Sequence, residues 1–218
     1  MVIILLEGRR HFHHISDSSL YELFCIFVTF CGLMVRILTV GFVHEMTSGR
    51  NTLFQKADEL NTTGAYSIVR NPLYLGNYLI LLGLSLLTQS PVVIILNTVV
   101  FVLIYLPIVL REESFLLEKF GGQYLAYAKN VNCIIPSFKN MRKPERAFNI
   151  KMVLKREHDT WFTNTLSLVF IELLREYGLR DEVTLTSMWY FLILTVGVAW
   201  TILKYMKRTD RLIIMQKD

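Results

Sequence analysis

From Asn71 to Leu110 the chain carries no Asp, Glu, Lys, Arg or His, a run of 40 residues. A helix crossing about 30 Å of hydrocarbon needs about 20 residues, so this run predicts two spans. The break falls at Thr88-Gln89-Ser90-Pro91. The spacing therefore predicts a tight helical hairpin, with arms over 72–88 and 92–110. A soluble helix of this length would carry a polar face, and neither arm has one.

Composition agrees. Of the 218 residues 53% are apolar and only 19% charged, with net charge +5. That balance excludes a disordered chain, and three cysteines exclude a disulfide scaffold. A third span is expected over 21–43, although it contains Arg36, a costly residue in lipid unless it snorkels or faces a polar cavity. A further span is expected over 183–206, with Trp189 and Tyr190 as an interfacial belt. The stretch 159–174 is shorter and interrupted by Glu172, and a spanning helix is preferred there. The reading is an all-α integral membrane protein with four to five transmembrane helices. It divides into an N-terminal stub over 1–20, a membrane core over 21–138, and a basic linker with C-terminal helices over 139–218. The apolar start Met1–Leu6 is too short to cross a bilayer and lacks the leading positive charge of a signal peptide. It reads as the tail of a lost span.

Loop charge sets the expected orientation. The Thr88–Pro91 turn has no Lys or Arg. The segment before the hairpin has Arg50, Lys56 and Arg70, and the one after it runs from Arg111 and Lys119 to a basic stretch over 142–156. Both flanks are expected in the cytoplasm. A fifth span returns the tail with Lys204, Lys207 and Arg208 to the same side. The +5 thus reads as a positive-inside signature rather than a nucleic-acid face.

Two stretches at the mouth of the hairpin are dense in functional residue types. The first is Thr63-Gly-Ala-Tyr-Ser-Ile-Val-Arg-Asn-Pro-Leu-Tyr-Leu-Gly76. Asn71 suits the N-cap and Pro72 the first helical position. Helix-start N–H groups beside Arg70 favour an anion. Tyr66 and Tyr74 can cluster there, and Gly64 and Gly76 allow close backbone approach. A capped membrane helix with a snorkelling Arg and belt tyrosines accounts for the same residues. The second stretch begins Arg111-Glu-Glu and reaches Gly121-Gly-Gln-Tyr-Leu-Ala-Tyr127. The hairpin should return Glu112 and Glu113 to the membrane face of Arg70. There they can bind a cation, hydrogen-bond ribose hydroxyls or pair with Arg70; an ordinary solvated helix end is the plainer alternative.

Together these stretches resemble the isoprenylcysteine carboxyl methyltransferase and phospholipid methyltransferase superfamily, integral membrane enzymes that use S-adenosylmethionine. The pattern G-x-Y-x-x-x-R-N-P-x-Y-x-G, a spacer, E-E and then F-G-x-x-Y-x-x-Y covers about 60–138. The resemblance implies methyl transfer to a membrane lipid or isoprenoid-type acceptor bearing a carboxylate, amine or hydroxyl. It implies Arg70 and Glu113 as catalytic candidates. It also implies a cofactor site of Tyr66, Arg70, Asn71, Pro72, Tyr74, Gly76, Glu112, Glu113, Tyr124 and Tyr127. Asn71 stands where the family often has His, so a role that needs an imidazole does not carry over, while an amide or backbone contact does. Membrane sterol reductases, which use a nicotinamide cofactor, share a similar R-x-P-x-Y motif. A non-catalytic membrane interaction protein is the other competing reading.

Other residues read more plainly. His11, His13 and His14 lack ligand partners at metal spacing and read as a linker. Cys25, Cys31 and Cys133 read as small apolar fillers. Asn61-Thr-Thr63 is a sequon on the expected cytoplasmic side. His158, between Glu157 and Asp159, is a candidate to approach the site. The basic stretch over 142–156 can hold anionic headgroups, although positive-inside topology explains it as well.

Overall fold

The computed structural model describes residues 19–43, 59–180 and 187–209. His11, His13 and His14 with the N-terminal stub up to residue 18, Arg50 and Lys56, and residues 181–186 and 210–218 lie outside the described residues. The described residues form six helices and no strands: α1 (Ser19–Phe42), α2 (Pro72–Leu87), α3 (Pro91–Phe120), α4 (Gly122–Asn130), α5 (Ile150–Arg180) and α6 (Ser187–Arg208). A 3-10 turn, Gly64–Ser67, precedes α2.

Among the described residues three segments are long and apolar enough to cross a membrane: Leu20–Phe42, Pro91–Phe120 and Trp189–Arg208. Their outer faces are lined by exposed Phe27, Phe30, Leu103, Ile104, Phe191 and Leu194. Such faces suit lipid rather than water. This is an all-α membrane protein. The first arm of the hairpin, α2, has 16 residues and is about 24 Å long at about 1.5 Å per residue, shorter than the second.

The expected helix break is where the sequence puts it. α2 ends at Leu87 and α3 starts at Pro91. Thr88 Oγ1 donates to the Ser85 carbonyl at 2.6 Å, and Gln89 turns the chain with φ of 53°. Ser90 caps α3, its hydroxyl accepting the Val93 N–H at 3.5 Å, with Pro91 in the first helical position. α3 stops at Phe120, where Gly121 takes φ of +50°. The reading of 139–158 as linker is corrected in part: α5 begins at Ile150, where Asn149 Oδ1 accepts the Met152 N–H at 3.0 Å. The basic residues after Ile150 are on a helix, and Asn149 supplies its start signal.

Residues 19–31, 79–98, 154–180 and 187–209 belong to one compact unit; 32–43, 59–78 and 99–153 belong to another. In the first, Gly83 of α2 meets α1 so closely that an added Cβ would lie 2.7 Å from the Cys25 carbonyl oxygen. Tyr21 donates to the Leu86 carbonyl at 3.0 Å, and Asn97 to Ser85 at 2.9 Å. On α6, Trp200 donates to Asp159 at 3.0 Å and stacks on Phe162 at 4.5 Å, with Lys204 over its ring. In the second unit, Gly76 brings α2 onto the Gly32 carbonyl of α1, 3.0 Å from an added Cβ. There Arg36, 7% exposed, hydrogen-bonds the Asn77 side chain, which resolves how α1 tolerates it.

Small residues let membrane helices approach each other, and backbone atoms cannot yield to a new side chain. Gly83→Leu should therefore destabilise the protein by about 1–3 kcal/mol. Gly197→Ala, in a helix with open space around it, should not. Thermal unfolding in one detergent compares the two.

Candidate functional site

The second unit gathers the residues singled out by sequence, starting with the approach to α2. Gly64 enters the 3-10 turn with φ of +61°, and its N–H bonds the Arg142 carbonyl at 3.1 Å. Ser67 Oγ donates to the Gly64 carbonyl at 2.6 Å and accepts the Arg142 N–H at 2.9 Å. Two further backbone bonds follow, Ser137 N–H to the Ile68 carbonyl and Arg70 N–H to the Asn132 carbonyl, both 2.9 Å. The irregular strap over 131–149 is thereby fixed along residues 64–70. Its far end returns to α1 through Asn149 N–H to the Gly41 carbonyl at 2.8 Å and a Phe42–Phe148 edge contact at 5.2 Å.

Arg70 stands at the end of this approach and joins three elements. Its Nε and Nη2 donate to Glu113 Oε1 and Oε2, both at 2.9 Å. Its Nη1 donates to the carbonyls of Ala128 and Val131 at 3.0 and 3.3 Å, at the end of α4. The planar guanidinium thus uses its fork on the carboxylate and its remaining edge on a helix C-terminus, where a cation is favoured.

Asn71 sits in the N-cap position, its carbonyl accepting the Leu75 N–H at 3.1 Å. Its side chain, expected to cap α2, turns instead to Glu113. Nδ2 lies 3.0 Å from Glu113 Oε1, 3.2 Å from the Cys133 carbonyl and 3.4 Å from Cys133 Sγ. The Cys133 thiol in turn donates to Glu113 Oε1 at 3.2 Å. Glu113 therefore receives Arg70 twice, Asn71 and Cys133. The reading of Cys133 as an apolar filler is corrected: the strap delivers its thiol to a carboxylate.

Glu112 points elsewhere. It accepts the Tyr74 hydroxyl at 2.8 Å and has no basic partner among the described residues. Tyr74 leads into an aromatic run, Tyr74–Tyr105 at 5.2 Å, Tyr105–Phe101 stacked at 4.2 Å and Phe101–Tyr78 at 5.2 Å. Asn77 Nδ2 reaches the Tyr105 hydroxyl at 3.4 Å. Asn77 and Tyr105 escaped the sequence reading. The available signal was an amide inside a charge-free run, which needs a partner in lipid.

Tyr127 donates to the Tyr66 carbonyl at 2.7 Å and ties α4 to the 3-10 turn. Tyr124 is 5% exposed and its hydroxyl has no hydrogen-bond partner. Pro72 starts α2, and Gly76 brings it against α1. His158 belongs to the other unit, where it bonds the Leu154 carbonyl at 3.0 Å. Among the described residues no group of three or more His, Cys, Asp or Glu could hold a metal ion.

The electrostatics follow from burial and from Glu113. Burial would lower the Arg70 guanidinium, but the Glu113 bonds and charge outweigh it and raise it. Burial pushes the Cys133 thiol up, and its bond to Glu113 adds to the rise. The Tyr124 and Tyr127 phenols are also raised, by burial first and then by Glu113 and Tyr66 respectively. All three hydrogens stay in place near neutral pH.

Residues 21–123 match the phospholipid methyltransferase family model. A nickel-cobalt-cadmium resistance protein of Alcaligenes xylosoxydans xylosoxydans is 35% identical over 82 residues, 38% of either chain. A cobalt-zinc-cadmium resistance protein of Cupriavidus metallidurans is 34% identical over 106 residues, 48% of this chain and 46% of its own. The protein-S-isoprenylcysteine O-methyltransferase of Schizosaccharomyces pombe is 34% identical over 96 residues, 44% of this chain and 39% of its own. The chain spans less than half the length of each of these relatives. No solved structure matches it.

Two measurements check the site. An unmet buried hydroxyl costs about 1–3 kcal/mol, so Tyr124→Phe should raise the unfolding temperature of the ligand-free protein. Cys133 should alkylate slowly near neutral pH, because its thiolate is disfavoured. Glu113→Gln removes the negative neighbour and should move the pH midpoint of Cys133 alkylation downward, read by mass spectrometry of that peptide.

Proposed function

We propose, from the match of residues 21–123 to the phospholipid methyltransferase family model, that the chain belongs to the phospholipid methyltransferase and isoprenylcysteine carboxyl methyltransferase superfamily and transfers a methyl group from S-adenosylmethionine to a membrane-embedded lipid or isoprenoid-type acceptor. The observation that carries the reading is the meeting of the R-N-P-x-Y and E-E stretches through Arg70, Asn71, Glu113, Tyr74 and Glu112. Residues 38 to 43 positions apart in the chain, one set at a helix start and the other near a helix end, converge on one polar cluster beside apolar helices.

The cluster fits the cofactor in charge and in unmet bonding. Glu112 has no Lys or Arg partner among the described residues, and the buried Tyr124 hydroxyl, which lies beside Glu113, meets no acceptor in hydrogen-bond geometry. The residues that would hold the cofactor are Tyr66, Arg70, Asn71, Pro72, Tyr74, Gly76, Glu112, Glu113, Tyr124 and Tyr127. Bound S-adenosylmethionine would supply a methyl carbon activated on a cationic sulfur, whose bond breaks with its electron pair going to sulfur as the acceptor atom attacks. The chain then has to orient, to exclude water and to leave an approach from lipid. Tyr74, at the start of the aromatic run, is suited to border both the charged cluster and an apolar acceptor. An acceptor carboxylate attacks as it is, whereas an amine or hydroxyl gives up a proton on transfer.

The same reading has five spans, with the hairpin turn outside and the cluster on the cytoplasmic face. Loop charge supports that sidedness, through the basic strap and the lysines at the end of α6.

Purified protein titrated with S-adenosylmethionine and with NADPH should bind the former only. Incubation with labelled S-adenosylmethionine and native lipids should yield a lipid heavier by one CH₂. Arg70→Ala and Glu113→Gln should each weaken cofactor binding by about tenfold or more, since each leaves a partner uncompensated. Unchanged binding in both variants would remove the assignment.

A further inference from the structure

The strap over 131–149 carries a second pattern besides its bonds to the site. Ile134, Ile135, Phe138 and Met141 are between 56% and 72% exposed. Clustered apolar side chains without protein cover mark an interaction surface. Lys139, Arg142 and Lys143 are interleaved with them and are exposed as well. Among the described residues no carboxylate pairs with these three side chains, whereas Arg146 is taken by Glu59 at 2.9 Å. The strap has one acidic residue, Glu145. Positive-inside topology explains cations beside a membrane span. It does not put uncovered isoleucine and phenylalanine among them.

The attachments of the strap say what covers it. At one end Asn149 N–H bonds the Gly41 carbonyl, and Phe148 packs on Phe42, the last residue of a segment long and apolar enough to cross a bilayer. At the other, the Asn132 carbonyl accepts the Arg70 N–H, two residues before the apolar helix α2 begins. Both attachments lie at ends of apolar helices, the level at which hydrocarbon gives way to headgroups. A segment held there with apolar and basic side chains suits that boundary, the apolar groups entering it and the cations meeting phosphates. Its excess of cations favours anionic headgroups over zwitterionic ones.

We propose that residues 134–146 are a lipid-reading surface: Ile134, Ile135, Phe138 and Met141 enter the bilayer boundary, Lys139, Arg142 and Lys143 bind the phosphates of anionic lipids, and this binding seats the strap on the Arg70–Glu113 cluster. The coupling is short. Cys133, next to Ile134, donates to Glu113 Oε1 at 3.2 Å. The Arg142 backbone holds Gly64 and Ser67 of the turn that precedes Arg70. A ligand that binds only the seated strap lowers the population of the lifted one. Anionic lipid therefore slows the reaction of the Cys133 thiol with a reagent from water.

The test places the purified full chain in nanodiscs of phosphatidylcholine, alone or mixed with phosphatidylglycerol. Alkylation of Cys133 by N-ethylmaleimide, read by mass spectrometry of that peptide, should be about fivefold slower in the anionic discs, the size of one cation at an anionic surface. Raised salt should remove the difference. Lys139→Gln, Arg142→Gln and Lys143→Gln together should give the same rate in both discs. Equal rates in the wild type overturn the proposal. So does a slowing that persists in the triple variant, which would come from the lower surface pH of anionic discs. Inorganic phosphate added to the phosphatidylcholine discs should change nothing; a slowing by phosphate alone identifies a free-anion site and overturns the lipid assignment. Insertion has its own readout, independent of the triple variant. Phe138→Trp should add emission, above that of the three native tryptophans, that lipids brominated in the acyl chain quench. Added emission quenched by aqueous acrylamide and untouched by brominated lipid places the strap away from the bilayer and overturns the proposal. None of these readouts uses a cofactor, so they succeed or fail separately from the methyltransferase reading.

Discussion

The bidentate pair of Arg70 and Glu113 is the interaction on which the second unit depends. Arg70 closes the approach to α2, and Glu113 lies near the end of α3, 43 positions later. The same guanidinium takes two carbonyls at the end of α4. The same carboxylate takes Asn71 at the start of α2 and Cys133 of the strap. Side chains of the pair are 17% and 18% exposed. That is dry enough for an orphaned partner to be costly and wet enough that desolvation does not cancel the attraction. Three helix termini and one irregular strap meet there, none of which could fix its own geometry. The 3-10 turn and its backbone bonds to the strap aim Arg70, and Tyr127 ties α4 to the same turn.

The membrane-spanning parts obey a different economy. Lipid offers no hydrophobic drive between helices, so close approach of small residues and a few polar contacts hold them. Gly76 and Gly83 lie seven residues apart along α2, and each meets a backbone carbonyl of α1. Near Gly76, Arg36 finds the Asn77 amide rather than water. Polar groups inside the apolar helices therefore come in sets: Asn97 with Ser85, Asn77 with Arg36 and Tyr105. Each set satisfies groups that hydrocarbon would leave bare.

How much of this was legible depends on whether the signal was local. The charge-free run, the break at Pro91, the stop at Gly121 and the proline start of α2 follow from local chemistry, and the helices respect them. That Arg70 and the glutamates share a place follows from hairpin geometry, since two arms joined by a short turn end on the same side. The strap was opaque. Residues 131–149 have no helical or strand period, and their course is set by backbone bonds to the 64–70 segment that no composition reveals. Hence Cys133 looked like filler. The two glutamates were also indistinguishable in sequence, because adjacent positions on a helix differ by about 100° in direction, and only the surroundings say which direction meets Arg70.

Asn71 shows how the same geometry alters the weight of a motif departure. Where the resemblance leads one to expect His, the chain has an amide, and a catalytic imidazole would be missing. In the structure the position demands something less specific. The side chain must present an N–H toward Glu113 Oε1, which Asn71 Nδ2 does at 3.0 Å, while also reaching the strap at the Cys133 carbonyl. A neutral imidazole has one N–H and an amide has two. An amide can therefore serve both the carboxylate and the strap without taking up a proton, whereas an imidazole serves one unless it is charged. Beside a carboxylate already paired with Arg70, a second cation has little to neutralise. The substitution thus keeps the hydrogen bond that orders the cluster, and it makes that bond independent of pH over the range in which a histidine would titrate.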